Sequence, residues 1–237
     1  MTRRRWIADE VSGNRAALIG EHADHLVRVL RACVGQEFDV VADAAVRRGR
    51  IVRISESRVE FELGEEVSAA AVADLTLLLA IFKFDRFEWA VEKCTELGVK
   101  NIIPVIARRT DAHLASASAK RVERWRRIAV QSAEQSRRTT PPEILDPIKL
   151  QQALRVPSKF RIVLSEAEQQ TRLADLFTDS EHSDAILAIG PEGGWTEDEL
   201  GLFASEGWIS TSLGATILRA ETAAIAATVL ATSLLDV

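Results

Sequence analysis

The chain has 237 residues, 47% of them hydrophobic and 27% charged, with a formal net charge of −5. That balance excludes a disordered polyelectrolyte and fits a soluble globular protein of one large domain or two small ones. The net figure hides an asymmetry: residues 1–162 hold 28 Lys and Arg against 22 Asp and Glu, whereas residues 163–237 hold 2 against 13.

The N-terminus opens on Arg3-Arg4-Arg5, but Asp9 and Glu10 follow without an apolar stretch, so it does not read as a secretory signal and a cytoplasmic protein is expected. His22 to Arg31 predicts a short helix, with Leu26, Val29 and Leu30 at helical spacing and Gly35 soon after. Phe38–Val41, Gly49–Ile54 and Arg58–Leu63 are β-rich and partly alternating, which predicts a small β-barrel-like domain. Glu65 to Asp74, containing Ser68-Ala69-Ala70-Ala71, is the expected linker, dividing the chain into residues 1–70 and 71–237.

From Leu75 the rhythm becomes strand-helix alternation. Leu75–Ile81 is a continuous apolar run, as for a buried parallel strand. Asp85–Leu97 is an amphipathic helix stopped by Gly98, and Asn101–Ala107 is the next strand. Lys120–Arg137 predicts a long basic helix, a surface suited to a polyanion or simply a solvated face. Strands are expected at Phe160–Leu164, Ala185–Ile189 and Trp208–Leu213, and Thr196-Glu197-Asp198-Glu199 opens a helix with a capping box. The last helix, Glu221–Leu235, is apolar nearly all round, which predicts burial on several sides, a subunit interface included. The apolar stretch Ala223–Leu235 is too short and too broken by Thr and Ser to span a bilayer, so no membrane partner is expected. The alternation as a whole predicts an α/β fold with a parallel sheet. Cys33 and Cys94 lack partner spacing and read as two buried reduced thiols; they and the pair His22 and His25 predict no metal site.

Two glycine-bearing stretches in the last third hold the chemistry. Ile189-Gly190-Pro191-Glu192-Gly193-Gly194-Trp195 follows a strand and leads to a helix N-terminus, where a ligand can approach backbone N–H groups. It is neither a Walker A nor a Rossmann sequence. Leu213-Gly214-Ala215-Thr216-Ile217-Leu218-Arg219-Ala220-Glu221-Thr222-Ala223 carries the only Lys or Arg after Arg172. Glu221 and Thr222 alone read as helix-start residues, but a lone Arg219 in so acidic a segment points to function.

Together these stretches resemble the RsmE family of SPOUT methyltransferases. Glu92-Lys93-Cys94-Thr95-Glu96-Leu97-Gly98-Val99, Ala133-Glu134-Gln135-Ser136-Arg137-Arg138 and His25-Leu26-Val27-Arg28-Val29-Leu30-Arg31 match as well, so the resemblance covers nearly the whole chain. The departures are mild: Thr110 in place of Ser, Trp195 in place of Phe, and Ala215-Thr216 in a slot usually filled otherwise. The resemblance implies a PUA-like RNA-binding β-barrel domain, a SPOUT domain with a deep C-terminal trefoil knot, and a homodimer. It implies S-adenosylmethionine as cofactor and methylation of N3 of one uridine in 16S ribosomal RNA (position 1498 in the RNA's own numbering), within the small ribosomal subunit. Leu164-Ser165-Glu166, Ile189 to Gly194, Leu213, Gly214, Ile217, Leu218, Thr222 and Ala223 would hold the cofactor. Arg219 would stabilise the developing uracil anion. Either Glu221 orients Arg219, or Glu192 or a water takes the proton. Arg137, Arg138 and Gln135 are the first RNA-binding candidates, followed by Lys93, Arg109, Arg5 and Arg31. Two other readings stay open: a SPOUT methyltransferase acting on a ribose 2′-OH or another base, and a noncatalytic RNA-binding assembly factor.

Overall fold

The structure, a computed structural model, describes residues 5–43, 45–67, 74–136, 138–177 and 184–235, without the side chain of residue 234. The chain divides into two compact units, Met1–Ala70 with Ala133–Pro141, and Ala71–Ser132 with Pro142–Val237.

The first unit is built on β1 (Arg5–Ile7), β2 (Glu10–Ser12), β3 (Arg15–Ile19), α1 (Glu21–Asp24), β4 (Glu37–Ala42), β5 (Ala45–Ser55) and β6 (Arg58–Glu66). The strands form one curled six-stranded sheet in the order β1-β4-β5-β6-β3-β2, an open half-barrel rather than a closed one. Every pairing is antiparallel except β1 with β4. The three strands before residue 20 are not among the predicted elements, because they are short and rich in Ala and charge. Their one local signal is Gly13-Asn14, which closes the β2–β3 hairpin with Ser12 opposite Arg15 and Gly13 at φ +57. The expected helix over His22–Arg31 is one α turn followed by a π-helical stretch, His25–Val29, and it ends at Arg31 with φ +54. Trp6, Leu18, Leu26, Val40, Ile51, Val59, Phe61 and Leu63 form this unit's core. His22 lies in an ionic cluster: its Nδ1 is 3.0 Å from Asp9 Oδ1 and its Nε2 is 3.4 Å from Glu134 Oε1. Burial pushes the Glu134 carboxyl above its ordinary range, and the charge of Asp9 adds to that, while His22 opposes it. The ring of His25 lies 5.8 Å from that of Trp6.

The second unit holds β7 (Asp74–Ala80), α2 (Phe84–Glu96), β8 (Asn101–Ile106), α3 (Ala112–Ala117), α4 (Val122–Gln135), whose last three residues belong to the first unit, β9 (Glu143–Ile144), β10 (Ile148–Lys149), α5 (Leu150–Ala153), β11 (Arg161–Leu164), β12 (Asp184–Ile189), α6 (Glu197–Ser205), β13 (Ile209–Thr211) and α7 (Ala220–Leu234). The sheet runs β10-β8-β7-β12-β11-β13, with β9 beside β8, and every pairing is parallel. A parallel strand buried on both faces needs apolar side chains at every position, and β7 shows why. Leu75, Leu77 and Leu79 enter one core with Phe87, Val91, Trp125 and Ala224, while Leu78 and Ala80 enter another with Leu150, Trp195 and Phe203. The predicted strands and helices of this region are all present; α3, α5, β9 and β10 are additional.

The last helix buries one face, Ala224, Ala227, Thr228 and Ala231, while Val229 on the other side is 43% exposed, so burial within the chain is one-sided. Cys94 is buried, as expected, and the Thr228 hydroxyl donates to its Sγ at 3.4 Å; Cys33 is exposed, contrary to the expected pair of buried thiols. No helix among the described residues is long and apolar enough to cross a membrane.

Candidate cofactor cavity and the basic residues

Strands β11, β12 and β13 end side by side, and the loops that leave them enclose a cavity of about 330 Å³. That volume falls at the lower end of the range typical of small-molecule sites, roughly 300–1,000 Å³. The position is the one expected of an α/β sheet, outside the carboxyl ends of its strands. Of the residues proposed for the cofactor, Leu164, Ser165, Glu166, Ile189, Gly190, Pro191, Glu192, Gly194, Leu213, Gly214, Ile217, Leu218 and Ala223 line it. Gly193 and Thr222 do not; Thr222 is exposed on α7.

The glycine turn is fixed from several directions. Gly194 N donates to Pro191 O at 2.8 Å, closing the turn. At Gly190 the requirement is space: a Cβ there would lie 3.3 Å from Trp195 Nε1. Gly194 has φ +69, and its Cβ would lie 2.9 Å from Glu166 Oε1. The capping box of α6 forms as the sequence predicts, and its Glu199 does more than cap. Glu199 Oε2 accepts from Thr196 N at 2.9 Å, and Oε1 accepts from Arg108 N at 2.7 Å, tying the helix start to the loop after β8. Thr110 uses its hydroxyl in that loop, donating to Ile81 O at 3.2 Å, so the substitution of Thr for Ser keeps the hydrogen bond.

Two cavity-lining groups missed by sequence reasoning are polar and buried. Thr211 Oγ1 and Trp195 Nε1 have no hydrogen-bond partner among the described residues. A buried, unpaired polar atom costs about 1–3 kcal/mol, so such atoms in a cavity wall mark where a polar ligand binds. Nothing local in the sequence signals Thr211, which is the last residue of a short strand, and Trp195 reads there only as a loop residue. At the rim, Ile217 is 80% exposed, a large apolar side chain beside a cavity.

The acid–base candidates divide. Glu192 lines the cavity; Arg219 and Glu221 stand beside it, at the head of α7. Arg219 is exposed and occupies the N-cap, its carbonyl accepting from Ala223 N at 2.8 Å. Glu221 is buried, and its ionic partner is Arg86 rather than Arg219: Arg86 Nε lies 3.7 Å from Glu221 Oε1, and Arg86 Nη1 lies 3.6 Å from Glu192 Oε1. Arg86, in the first turn of α2, is absent from the sequence-predicted site, since no local motif marks it.

The basic candidates scatter. Arg109 turns its Nη1 inward, donating to Gly193 O and, at 3.3 Å, to Trp195 O, so it buttresses the glycine turn and lines the cavity. Lys93 Nζ donates to Glu92 Oε1 at 2.7 Å and Glu96 Oε1 at 2.8 Å, and these bonds push its ammonium above its ordinary range. Arg138 is 8% exposed, and burial lowers its guanidinium to about 10. Arg5 is half-buried and engaged within the protein; Arg31 and Gln135 are exposed; Arg137 lies outside the described residues. On the basic helix, Arg121 and Arg124 both reach Glu88, and Arg126 reaches Glu123 and Asp146, whereas Arg127 is exposed without an ion pair among the described residues.

A family model described as RNA methyltransferase domain matches residues 69–232. The chain belongs to the RNA methyltransferase family. Ribosomal RNA small subunit methyltransferase E of Rickettsia conorii is 38% identical over 155 residues, covering 65% of this chain and 62% of that protein. The protein of the same name from Bacillus subtilis is 29% identical over 218 residues, covering 87% of this chain and 85% of its own. The solved structure of ribosomal RNA small subunit methyltransferase E from Neisseria gonorrhoeae bound to S-adenosyl methionine superposes with a TM-score of 0.87 at 29% identity, over 99% of this chain and 98% of that one. The RsmE resemblance read from the motifs is thereby borne out. The family's α/β architecture is the one observed, a curled sheet and a parallel sheet with helices on both of its faces.

Proposed function

We propose that this chain transfers a methyl group from S-adenosylmethionine to N3 of a uridine in 16S ribosomal RNA, as a homodimer in the cytoplasm. The observation that carries the reading is the convergence of three strand-end loops on one small cavity in a member of the RNA methyltransferase family. The names of its relatives support ribosomal RNA of the small subunit as the acceptor; N3 of uridine rests on the RsmE motifs. The residues 1–70 would be the PUA-like RNA-binding domain and 71–237 the SPOUT domain. Its knot is part of the proposal, supported by the way α7 packs back onto β12 and β7 after β13 has ended the sheet. Exposed Val229 on α7 and Trp89 on the adjoining α2 support the dimer.

The residues of the cavity fit the cofactor. Backbone groups at Ile189–Gly194 and Leu213–Leu218 suit the edge of an adenine, Thr211 Oγ1 and Trp195 Nε1 offer buried polar partners, and Glu166, Glu192 and Glu197 give the wall negative charge. When bound, S-adenosylmethionine supplies an electrophilic methyl group on a sulfonium. The protein's task is then to present a nucleophilic N3. Uracil N3 holds its proton at neutral pH, so the site must accept that proton and stabilise charge on O2 or O4. Arg219, exposed at the head of α7, is the candidate for the second role. Glu192, in the cavity wall, or a water is the candidate for the first.

The test is mass mapping of the modified nucleoside after incubating small-subunit ribosomal RNA, free and assembled, with the protein and labelled cofactor. Methyl label on N3 of one uridine is expected. Label on a ribose oxygen or another base overturns the acceptor, and no transfer together with no cofactor binding, followed by the emission of Trp195, supports a noncatalytic factor.

A further inference from the structure

We infer that Arg86 is a positioning residue of the cofactor cavity: its guanidinium ties Glu192, in the glycine turn, to Glu221, at the head of α7. The inference rests on the proposed cofactor reading and deepens it. Three segments far apart in sequence meet at this arginine, the starts of α2 and α7 and the loop after β12. Arg86 does not line the cavity, but Glu192 does, as do Ala220 and Ala223 on either side of Glu221.

The electrostatics give the bridge its purpose. The Glu221 side chain is 5% exposed, and its Oε2 has no hydrogen-bond partner among the described residues. A carboxylate so placed depends on a nearby cation, and Arg86 is the one within 4.0 Å among the described residues. The cation itself stands in the first turn of a helix, where the macrodipole disfavours positive charge. Two carboxylates offset that. Neither contact is short enough to be a hydrogen bond, so the coupling is ionic and shared: Nη1 faces one acid and Nε the other. Lysine, a single point charge on a flexible stem, cannot present two such nitrogens. Arg86 thus fixes the distance between two walls of the cavity, a task distinct from that of Arg219, which faces outward from the same helix start.

Calorimetric binding of S-adenosylmethionine to the full chain tests this, with the wild type, Arg86→Ala, Arg86→Lys, Glu192→Gln and the double variant Arg86→Ala/Glu192→Gln. Circular dichroism and thermal unfolding without cofactor accompany each. Arg86→Ala should weaken binding by roughly tenfold, Arg86→Lys by less, and the double variant by less than the product of the two single losses, because the shared bridge is broken only once. An Arg86→Ala affinity within twofold of the wild type overturns the inference, as does a double variant whose losses multiply. If Arg86→Ala does not fold, Arg86→Lys, which keeps the charge, decides: a weaker affinity with native unfolding supports the bridge and an unchanged affinity overturns it. A wild type that does not bind the cofactor overturns the functional reading instead, which keeps the two failures apart.

Discussion

The cavity wall and the basic residues of this chain are opposite cases of how a function is encoded. The wall is made of backbone at the ends of three adjacent parallel strands, so the residues that form it are set by where strands stop. The cations depend on what other side chains stand nearby. Nearly every loop residue proposed for the cofactor lines the cavity, whereas the proposed RNA-binding set, among the described residues, divides into a buttress (Arg109), a paired lysine (Lys93), a buried arginine (Arg138), the half-buried Arg5 and the exposed Arg31 and Gln135. A glycine motif therefore reports position, while an arginine in a motif reports only that a charge is present.

Arg219→Ala puts that contrast to its most severe test. If exposed Arg219 stabilises charge on the base and the wall alone holds the cofactor, methyl transfer should fall by about 10²–10³-fold while cofactor affinity stays within a few-fold. Single-turnover transfer and calorimetry measure the two separately. Retained turnover would remove Arg219 from the reaction.

Next in size is Gly194→Ala. The position combines φ +69, which strains any L side chain, with a would-be Cβ 2.9 Å from Glu166 Oε1, so the Glu166 side chain in the cavity wall must also swing aside. Roughly 1–3 kcal/mol of strain is expected at such a residue, and cofactor affinity should fall by about tenfold while RNA affinity holds. Equal loss in both would mean that the wall and the RNA surface are one structure.

Smaller effects separate the cations from one another. Arg109→Ala should weaken cofactor binding several-fold and leave the salt dependence of RNA binding alone, because its hydrogen bonds go to Gly193 and Trp195. Arg127→Ala should do the reverse, lowering the slope of log affinity against log salt by about 0.7–0.9 for the lost phosphate contact. Lys93→Ala should do neither.

What is legible in the sequence follows the same line. The strands from Leu75 onward are readable because burial on both faces leaves continuous apolar runs, and the helix at Thr196 because its capping box is local. The hairpin Glu10–Ile19 is not, since Arg15-Ala16-Ala17 carries no β signal and its second strand, β3, gains its burial from pairing with β6. In the candidate site, the glycines are visible because φ +69 at Gly194 and the close approach of Trp195 at Gly190 both disfavour a side chain. Arg86, Thr211 and the inward turn of Arg109 are invisible, because each acquires its role from residues tens of positions away. That is why the Glu221 partner is expected two residues off, at Arg219, and is found at Arg86 on another helix.

The two cysteines offer a gentler probe of the cavity's far wall. Cys33 is exposed, whereas Cys94 on α2 is sealed beneath Thr228 of α7, and burial pushes its thiol up to about 12. Because its folded value is raised above the ordinary 9.0, the folded state holds the proton more tightly, and stability falls as pH rises from about 9 towards 12; below that window there is no effect. At pH 8 a thiol-specific reagent should therefore modify Cys33 quickly and Cys94 only when α7 lifts from α2. The same α7 carries Ala220 and Ala223 into the cavity wall, so cofactor that binds the wall should slow Cys94 labelling further and leave Cys33 unchanged. Equal protection of both thiols would show a general stabilisation rather than one transmitted through α7. No protection of Cys94 would show that the cavity can fill without holding that helix.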